Sequence, residues 1–521
     1  MKKIIEVIDL DLIKADAASI VMDAGRAQGV SYVDVRIEAS EGAGSYVEDD
    51  NPRQTSKDWG LSLGVRVIGG EGNFASGFYG RSLGVVDFQN FQAVLLEAIE
   101  IARERAIFNS KYKNVFKNSY EFFGKTIAAT KLAPIEVNQA VVPAEFEIDP
   151  REVSPREITE YALLCARAAK SYHPFVRRVE VAMNTFIGRQ LFVSSEGALI
   201  DQWHCSSGGT VFIVSANDKG DMPIDLYHHT GNQLGFEALT KGKNAHGVSF
   251  EKFAENIADE TVQLCNAKPA PAEDRPVTVV LDPDLVALFA HEIIGHPSEL
   301  DRALKWETGY AGRSWFFNDL ENNMVGKQVG SPILTAFSDP TLKGGYGHYL
   351  YDDEGTKAKR VYHIKNGVYQ DFINSRETAA IMGASPNGHY KANDASVVPL
   401  IRMSASAIAP GKSDPKKIIS EVAHGYYAVG HRIPSISESR ENFQISPRLI
   451  YEIKNGEIGQ VFRNGRITYD SKSFFMSIDA LGNDFKLFPI PNCGKGQPMQ
   501  AKQVGNGGPT ARARAKIARG N

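Results

Sequence analysis

Apolar positions change period several times along the first half of the chain. Residues 11–29, DLIKADAASIVMDAGRAQG, space them as one face of a helix closing on Gly29. YVDVRIEAS, residues 32–40, alternates as a strand does, and residues 59–80 read as two alternating strands around a turn at Gly69–Gly72. A second amphipathic helix fits residues 88–106, followed by a Pro- and Val-rich stretch, 132–150, that reads as a linker. SPREITEYALLCARAAKSY predicts a helix with Ser154 as N-cap, Pro155 at the first helical position and Glu157 closing a capping box. Residues 176–226 predict a strand meander with turns at Gly188, Glu196–Gly197 and Gly208–Gly209. A helix over SFEKFAENIADETVQLCNA then leads into KPAPAEDRP, where the main domain boundary is expected.

Beyond that stretch the pattern turns to short strands. In RVYHIKNGVYQDFI and RLIYEIKNGEIGQVF, each KNG between alternating runs predicts a tight hairpin. SDPKKIISEVAHG is one of few helices, and the basic end ARARAKIARGN reads as a mobile, solvated tail. The predicted fold class is α+β: an N-terminal α/β half with a mixed or antiparallel sheet, residues 1–240, a helix and linker, 241–275, and a β-rich C-terminal domain, 276–521.

Composition narrows the class. At 521 residues the chain is long enough for several domains, and 43% hydrophobic with 23% charged residues suits a globular protein with a large core. A net charge of -4 provides no general attraction for nucleic acid. Glu6, Asp9, Asp11 and Lys14 interrupt the N-terminal apolar residues, so no secretory signal is expected. No apolar run approaches the roughly 18 residues of a membrane span. Cys165, Cys205, Cys265 and Cys493 are too few for a disulfide framework in so long a chain. The expected location is cytoplasmic, with reduced thiols.

Candidate chemistry centres on LFAHEIIGHPSEL, residues 288–300. Asp282 and Pro283 predict a helix start after the strand Val277–Leu281, which puts His291 and Glu292 well inside that helix. His291 and His296 are five apart, about 140° around a regular helix, too far to share an ion. A π-bulge would bring them together; so would a helix that ends at Gly295, ahead of Pro297; either way Gly295 is expected to free His296 to swing back. A chance pair of histidines with a solvated glutamate is the competing reading, weakened by the apolar run around them. A catalytic zinc takes three protein ligands and leaves one position open. Glu299, Asp301, the remote histidines and Cys493 all stand as candidates for the third, and Cys493 could equally be inert or a nucleophile. Glu292, projecting beside the histidines, suits a general base.

Together, H-E-x-x-x-H, the late CGKGQ segment, and between them YDDEGTKAKRVYHIKNGVYQDFINSRETAAIMG, SPNGHYKAND, PLIRMSASAIAPG and HGYYAVG resemble the TldD/PmbA family of zinc metallopeptidases. The resemblance covers most of the chain and points to the TldD-like catalytic branch, which keeps the histidine motif. It implies one Zn2+ per chain held by His291, His296 and Cys493, with Glu292 as catalytic base. It also implies a peptide substrate and a dimer, either a homodimer or a heterodimer with a non-catalytic paralogue; from charge and hydropathy, no nucleic-acid or membrane partner is expected. Two alternatives remain: a zinc hydrolase of a non-peptide amide, and a non-enzymatic partner with structural zinc. Asp352, Asp353, Glu354 and Arg376 read either as a salt-bridged turn or as support for the metal or a peptide end.

Overall fold

The computed structural model describes residues 8–116, 121–122, 125–126, 129–307, 312–432 and 434–519. Helix α1 (Lys14–Gly25) leads to strands β1 (Val30–Glu48), β2 (Asn51–Gly69) and β3 (Ala75–Ser82), then helix α2 (Phe91–Phe116). Strand β4 (Gln139–Val142), helix α3 (Pro155–Ser171), strands β5 (Val176–Ser194), β6 (Leu199–Ser215) and β7 (Ile224–Asn232), and helix α4 (Phe250–Cys265) follow. The strands form one sheet in the order β3-β2-β1-β5-β6. Two strands share the far edge of β6, β4 in parallel and β7 antiparallel. The expected linker thus contributes an edge strand.

Alternation decides what each face of this sheet does. Val33, Val35, Ile37 on β1 and Leu61, Leu63, Val65 on β2 share one core with Leu95, Ala98 and Ala102 of α2. Val179, Val181 and Val211 share a second core with Ile158 and Ala162 of α3 and Ile257 of α4. The opposite register positions, Asp34, Arg36 and Arg66, are equally buried but charged. The two arginines pair with the second half of the chain, Arg36 with Asp353 at 3.2 Å and Arg66 with Glu354 at 2.8 Å, while Asp34 binds Arg66. Gly188 and Gly208–Gly209 lie within the β5–β6 ladder, not at turns, opposite His204 and Asn184–Met183. The last pair is glycine for space: a Cβ on Gly208 would lie 1.7 Å from the Tyr346 hydroxyl, and one on Gly209 2.4 Å from the Phe250 ring.

The second half begins with β8 (Glu273–Leu281) and the short helix α5 (Pro283–Phe289), then β9 (Ala336–Ser338), β10 (Val361–Lys365), β11 (Val368–Tyr369), β12 (Ala405–Ile408) and β13 (His424–Val429). It continues through β14 (Asn442–Ile445), β15 (Leu449–Lys454), β16 (Glu457–Arg463), β17 (Gly465–Asp470), β18 (Lys486–Lys495), β19 (Gln500–Gly508) and β20 (Ala511–Arg519). One sheet runs β16-β15-β13-β8-β20-β17-β14, with short strands at its margins; another runs β11-β10-β9-β12-β19-β18. Both KNG turns are hairpins, with Asn366 and Asn455 at φ 51° and glycine following. The basic C-terminal segment is no free tail: β20 lies between β8 and β17, and Ala513, Ala515 and Ile517 are buried while the intervening Arg514 and Lys516 face solvent. Its charges occupy one face of a period-two pattern whose other face is core. Gly520 and Asn521 lie outside the described residues. Among the described residues no helix is long and apolar enough to cross a membrane.

Candidate metal centre

Strand β8 delivers the chain to Asp282, whose carboxylate accepts from the Leu285 N–H and caps α5, with Pro283 at the first helical position. The helix does not continue regularly. Residues Ala290–Gly295 form a π turn, closed where the His296 N–H bonds the His291 carbonyl five residues back, and His296–Ser298 tighten into a 3-10 turn. The widened turn turns both histidines to one side, with ring centroids 4.7 Å apart. Two expectations need correction. His296 stays in helical geometry (φ -57°, ψ -46°) despite Pro297, and Gly295 is also helical (φ -65°), so no glycine freedom is used. Gly295 provides space instead: a Cβ there would lie 2.1 Å from Met403 Sδ on the segment beneath.

Cys493 arrives on β18, whose pairing with β19 slips between Ile490 and Cys493, around Pro491, which has no N–H for the ladder. Its Sγ lies 3.6 Å from His296 Nε2. The donor atoms of His291, His296 and Cys493 all fall within 4.8 Å of one another, and all three residues are buried. Each ring is held from behind. His291 Nδ1–H donates to Asn506 Oδ1 at 2.8 Å, and His296 Nδ1–H to Glu299 Oε2 at 3.1 Å, which leaves both Nε2 atoms facing the cysteine. Glu299 is fixed in turn by Arg302 and by Lys495, which also binds Asp301 at 2.6 Å. Glu299 and Asp301, weighed above as third donors, therefore stand behind the cluster rather than in it.

The three groups act on one another electrostatically. Burial alone would raise the Cys493 thiol, yet His296 and His291 hold it well below its usual range. Burial works to lower His291, but Cys493, then Glu292 and Asn506, lift it to about 9. Two imidazoles and a thiolate, buried and oriented by their other atoms, are a donor set that fits a soft divalent metal such as zinc. Glu292 leaves the helix in another direction. Its Oε1 lies 3.9 Å from His291 Nε2, and its Oε2 accepts from Arg440 Nη1 at 2.7 Å. Burial pushes its carboxyl up, but Arg440 and the two histidines bring it down to about 2.

The cluster opens into a cavity of about 650 Å3 whose walls include Arg440, Leu288, Ile490, His229 and His431. Sequence reasoning missed Asn506, Arg440 and the histidines around Asp284, where His431 Nδ1 lies 3.1 Å and His228 Nε2 3.4 Å from the carboxylate. The adjacent pair His228–His229 and the histidine before Arg432 were the available signals. The DDEG turn lies away from this cavity. Asp353 binds Arg36 and Lys391, Glu354 binds Arg66 and the Arg376 N–H, and Arg376 binds Glu196, a salt-bridged turn joining the two halves.

An α+β chain with two buried imidazoles and a thiol converging on a cavity, and a carboxylate alongside, has an arrangement compatible with a metal site. Residues 274–518 match the PmbA/TldA metallopeptidase C-terminal domain and residues 148–264 the central domain of the same metallopeptidases. The chain belongs to the PmbA/TldD metallopeptidase family. A metalloprotease of Methanocaldococcus jannaschii is 26% identical over 499 residues, 93% of this chain and 96% of its own. A zinc metalloprotease TldD homolog of Saccharolobus solfataricus is 26% identical over 345 residues, 66% of this chain and 72% of its own. The crystal structure of TldE from Thermococcus kodakarensis shares the fold, with a TM-score of 0.70 at 17% identity over 98% of this chain and 99% of that one.

Proposed function

We propose that the chain is a zinc-dependent peptidase acting on unfolded or small peptides, with one Zn2+ held by His291, His296 and Cys493 and with Glu292 as general base. The observation that carries this reading is the placement of the three donors around one point with the Glu292 carboxylate beside, not among, them. Zinc bound there would supply Lewis acidity toward a peptide carbonyl and toward water. Asn506 and Glu299 keep the two rings oriented. Arg440 pins one carboxylate oxygen of Glu292 and leaves Oε1 on the side of His291. Glu292 Oε1 takes the proton as the water oxygen attacks the carbonyl carbon, and passes it to the departing amine nitrogen as the C–N bond breaks.

The cavity, about 650 Å3, has room for a stretch of extended peptide and none for a folded domain, which supports unfolded or small substrates. A dimer is part of the proposal, formed by two copies or with a non-catalytic paralogue; the shared fold with TldE is consistent with paralogues of one shape. The test is a panel of fluorogenic peptides, folded proteins and small non-peptide amides, run on zinc-loaded and chelated enzyme. Turnover of amides alone, or equal turnover of folded and unfolded substrates, would overturn the reading.

A further inference from the structure

A second cavity, of about 350 Å3, lies on the other side of the strand that carries Cys493. Pro491 forms part of its wall, whereas the neighbouring Ile490 and Asn492 face the metal-side cavity. Its remaining walls come from the charged face of the first sheet, Gln233, residues 346–404 and residues 501–503 of β19. Two opposite charges enter it. Glu38 projects from β1 and Lys502 from β19, where it is the cross-strand neighbour of Cys493. Among the described residues neither side chain has a hydrogen bond or an ion pair, although each feels the other's charge. Other charges nearby are satisfied: Lys391 binds Asp353 at 2.6 Å, and Asp353 also binds Arg36.

A carboxylate and an ammonium, each half-buried at one partly open cavity and without a hydrogen-bonded partner, offer a ligand two charges of opposite sign. A simple anion would meet Lys502 but be repelled by Glu38, and a simple cation the reverse. A zwitterion answers both, its carboxylate on Lys502 and its ammonium on Glu38. Amide side chains of Asn184, Gln190 and Asn393 also line the space and offer donors and acceptors to peptide bonds. The volume is at the small end of the roughly 300–1,000 Å3 usual for ligand pockets. Burial, with Lys502 opposing it and Asp394 adding to it, lifts the Glu38 carboxyl to about 7, so a ligand ammonium there would favour its charged form.

We infer that this cavity binds a zwitterionic short peptide or amino acid, held by Lys502 at its carboxylate and by Glu38 at its ammonium. The inference leans on the peptidase reading only for the origin of such ligands, which are that reaction's products. Binding itself needs no turnover.

The experiment is isothermal titration calorimetry of triglycine, N-acetyltriglycine and triglycine amide into the full-length Glu292→Gln protein, and into the same protein with Glu38→Gln or Lys502→Met added. Triglycine is expected to bind in the millimolar range or tighter. Capping either end should weaken it by about tenfold or more, since each cap removes one charge-assisted contact. Acetylation should cost nothing further once Glu38 is gone, and amidation nothing further once Lys502 is gone. Both substitutions should leave the melting temperature of the ligand-free protein unchanged or higher, because each removes a charge without a partner.

Absence of triglycine binding overturns the inference, as does equal binding of the capped forms. So does binding that survives both substitutions but vanishes in His291→Ala, which would place the probe in the metal-side cavity. A drop in melting temperature for both variants would show that the two charges support the fold instead. Failure of the peptidase reading shows separately, as absent turnover of the parent enzyme on the fluorogenic panel.

Discussion

Arg440 grips Glu292 twice: one guanidinium nitrogen donates to the Glu292 carboxylate at 2.7 Å and to its main-chain carbonyl at 2.6 Å. Arg440 does this from a left-handed backbone, φ 64°, a conformation that costs a non-glycine residue on the order of 1 kcal/mol or more. Ser471 holds the same residue by donating its hydroxyl to the Arg440 carbonyl. The arginine thus sets where the carboxylate points. Arg440→Ala is expected to lower kcat by roughly 10- to 100-fold, part of the worth of a positioned base, while zinc content stays near one per chain. Arg440→Lys, a point charge without the planar fork, should recover only part of the loss. Steady-state kinetics with metal analysis decide, and unchanged kcat in the alanine variant would remove Arg440 from this role.

Glu292→Gln preserves shape and removes the proton acceptor. Turnover should fall by about 10²–10⁴-fold with zinc retained. His291→Ala should lose zinc and activity together. If Glu292→Gln sheds metal as completely as His291→Ala, the carboxylate is a ligand and not a base.

Cys493→Ser replaces a soft thiolate with a neutral hydroxyl between the same two imidazoles. Zinc content and activity should fall in parallel, and a chelator should silence the parent enzyme until zinc is restored. A serine variant that binds a full equivalent of zinc yet turns nothing over would favour a cysteine nucleophile.

Acid should destabilise the protein from the interior. Burial holds His363 down at about 4, and burial together with the neighbouring His363 holds His389 at about 3, both below the ordinary 6.5. At these two residues the unfolded chain therefore binds more protons than the folded one between about pH 6.5 and pH 4. The contribution of these two histidines to unfolding free energy falls as pH drops through that window, by up to roughly 3 kcal/mol for His363 alone. Denaturant melts between pH 7 and 4.5 should show this, with a shallower slope for His363→Gln. Parallel slopes would assign the acid sensitivity elsewhere.

The last strand makes a sharper demand on stability. Ala515 is fully buried opposite Val277, so Ala515→Asp should destabilise by several kcal/mol, about 3 or more, and yield little soluble protein. Arg514→Ala, on the solvent face one residue earlier, should stay within about 0.5 to 1 kcal/mol. Comparable stability of the two variants would refute the central placement of this strand.

Local pattern was enough for the features that depend only on neighbours in the chain. Asp282 and Pro283 start α5, Ser154 and Glu157 box α3, and the two KNG turns make hairpins, because caps and turn dihedrals are satisfied within a few residues. The spacing of His291 and His296 likewise required a break from regular helix if the two were to share one ion. Which break it would be depended on packing: Met403 presses on Gly295, and the π turn leaves both residues around it helical. Tertiary structure alone brought Cys493 to 3.6 Å from a histidine 197 positions away, set Asn506 and Glu299 behind the rings, and laid Arg440 on Glu292. It also made a central strand of a segment whose arginines read as a tail, since alternation marks two faces without saying what covers either. Sequence periodicity records the local geometry of a segment; its partners are set by long-range strand pairing and by burial of charge against charge, which no short window of residues contains.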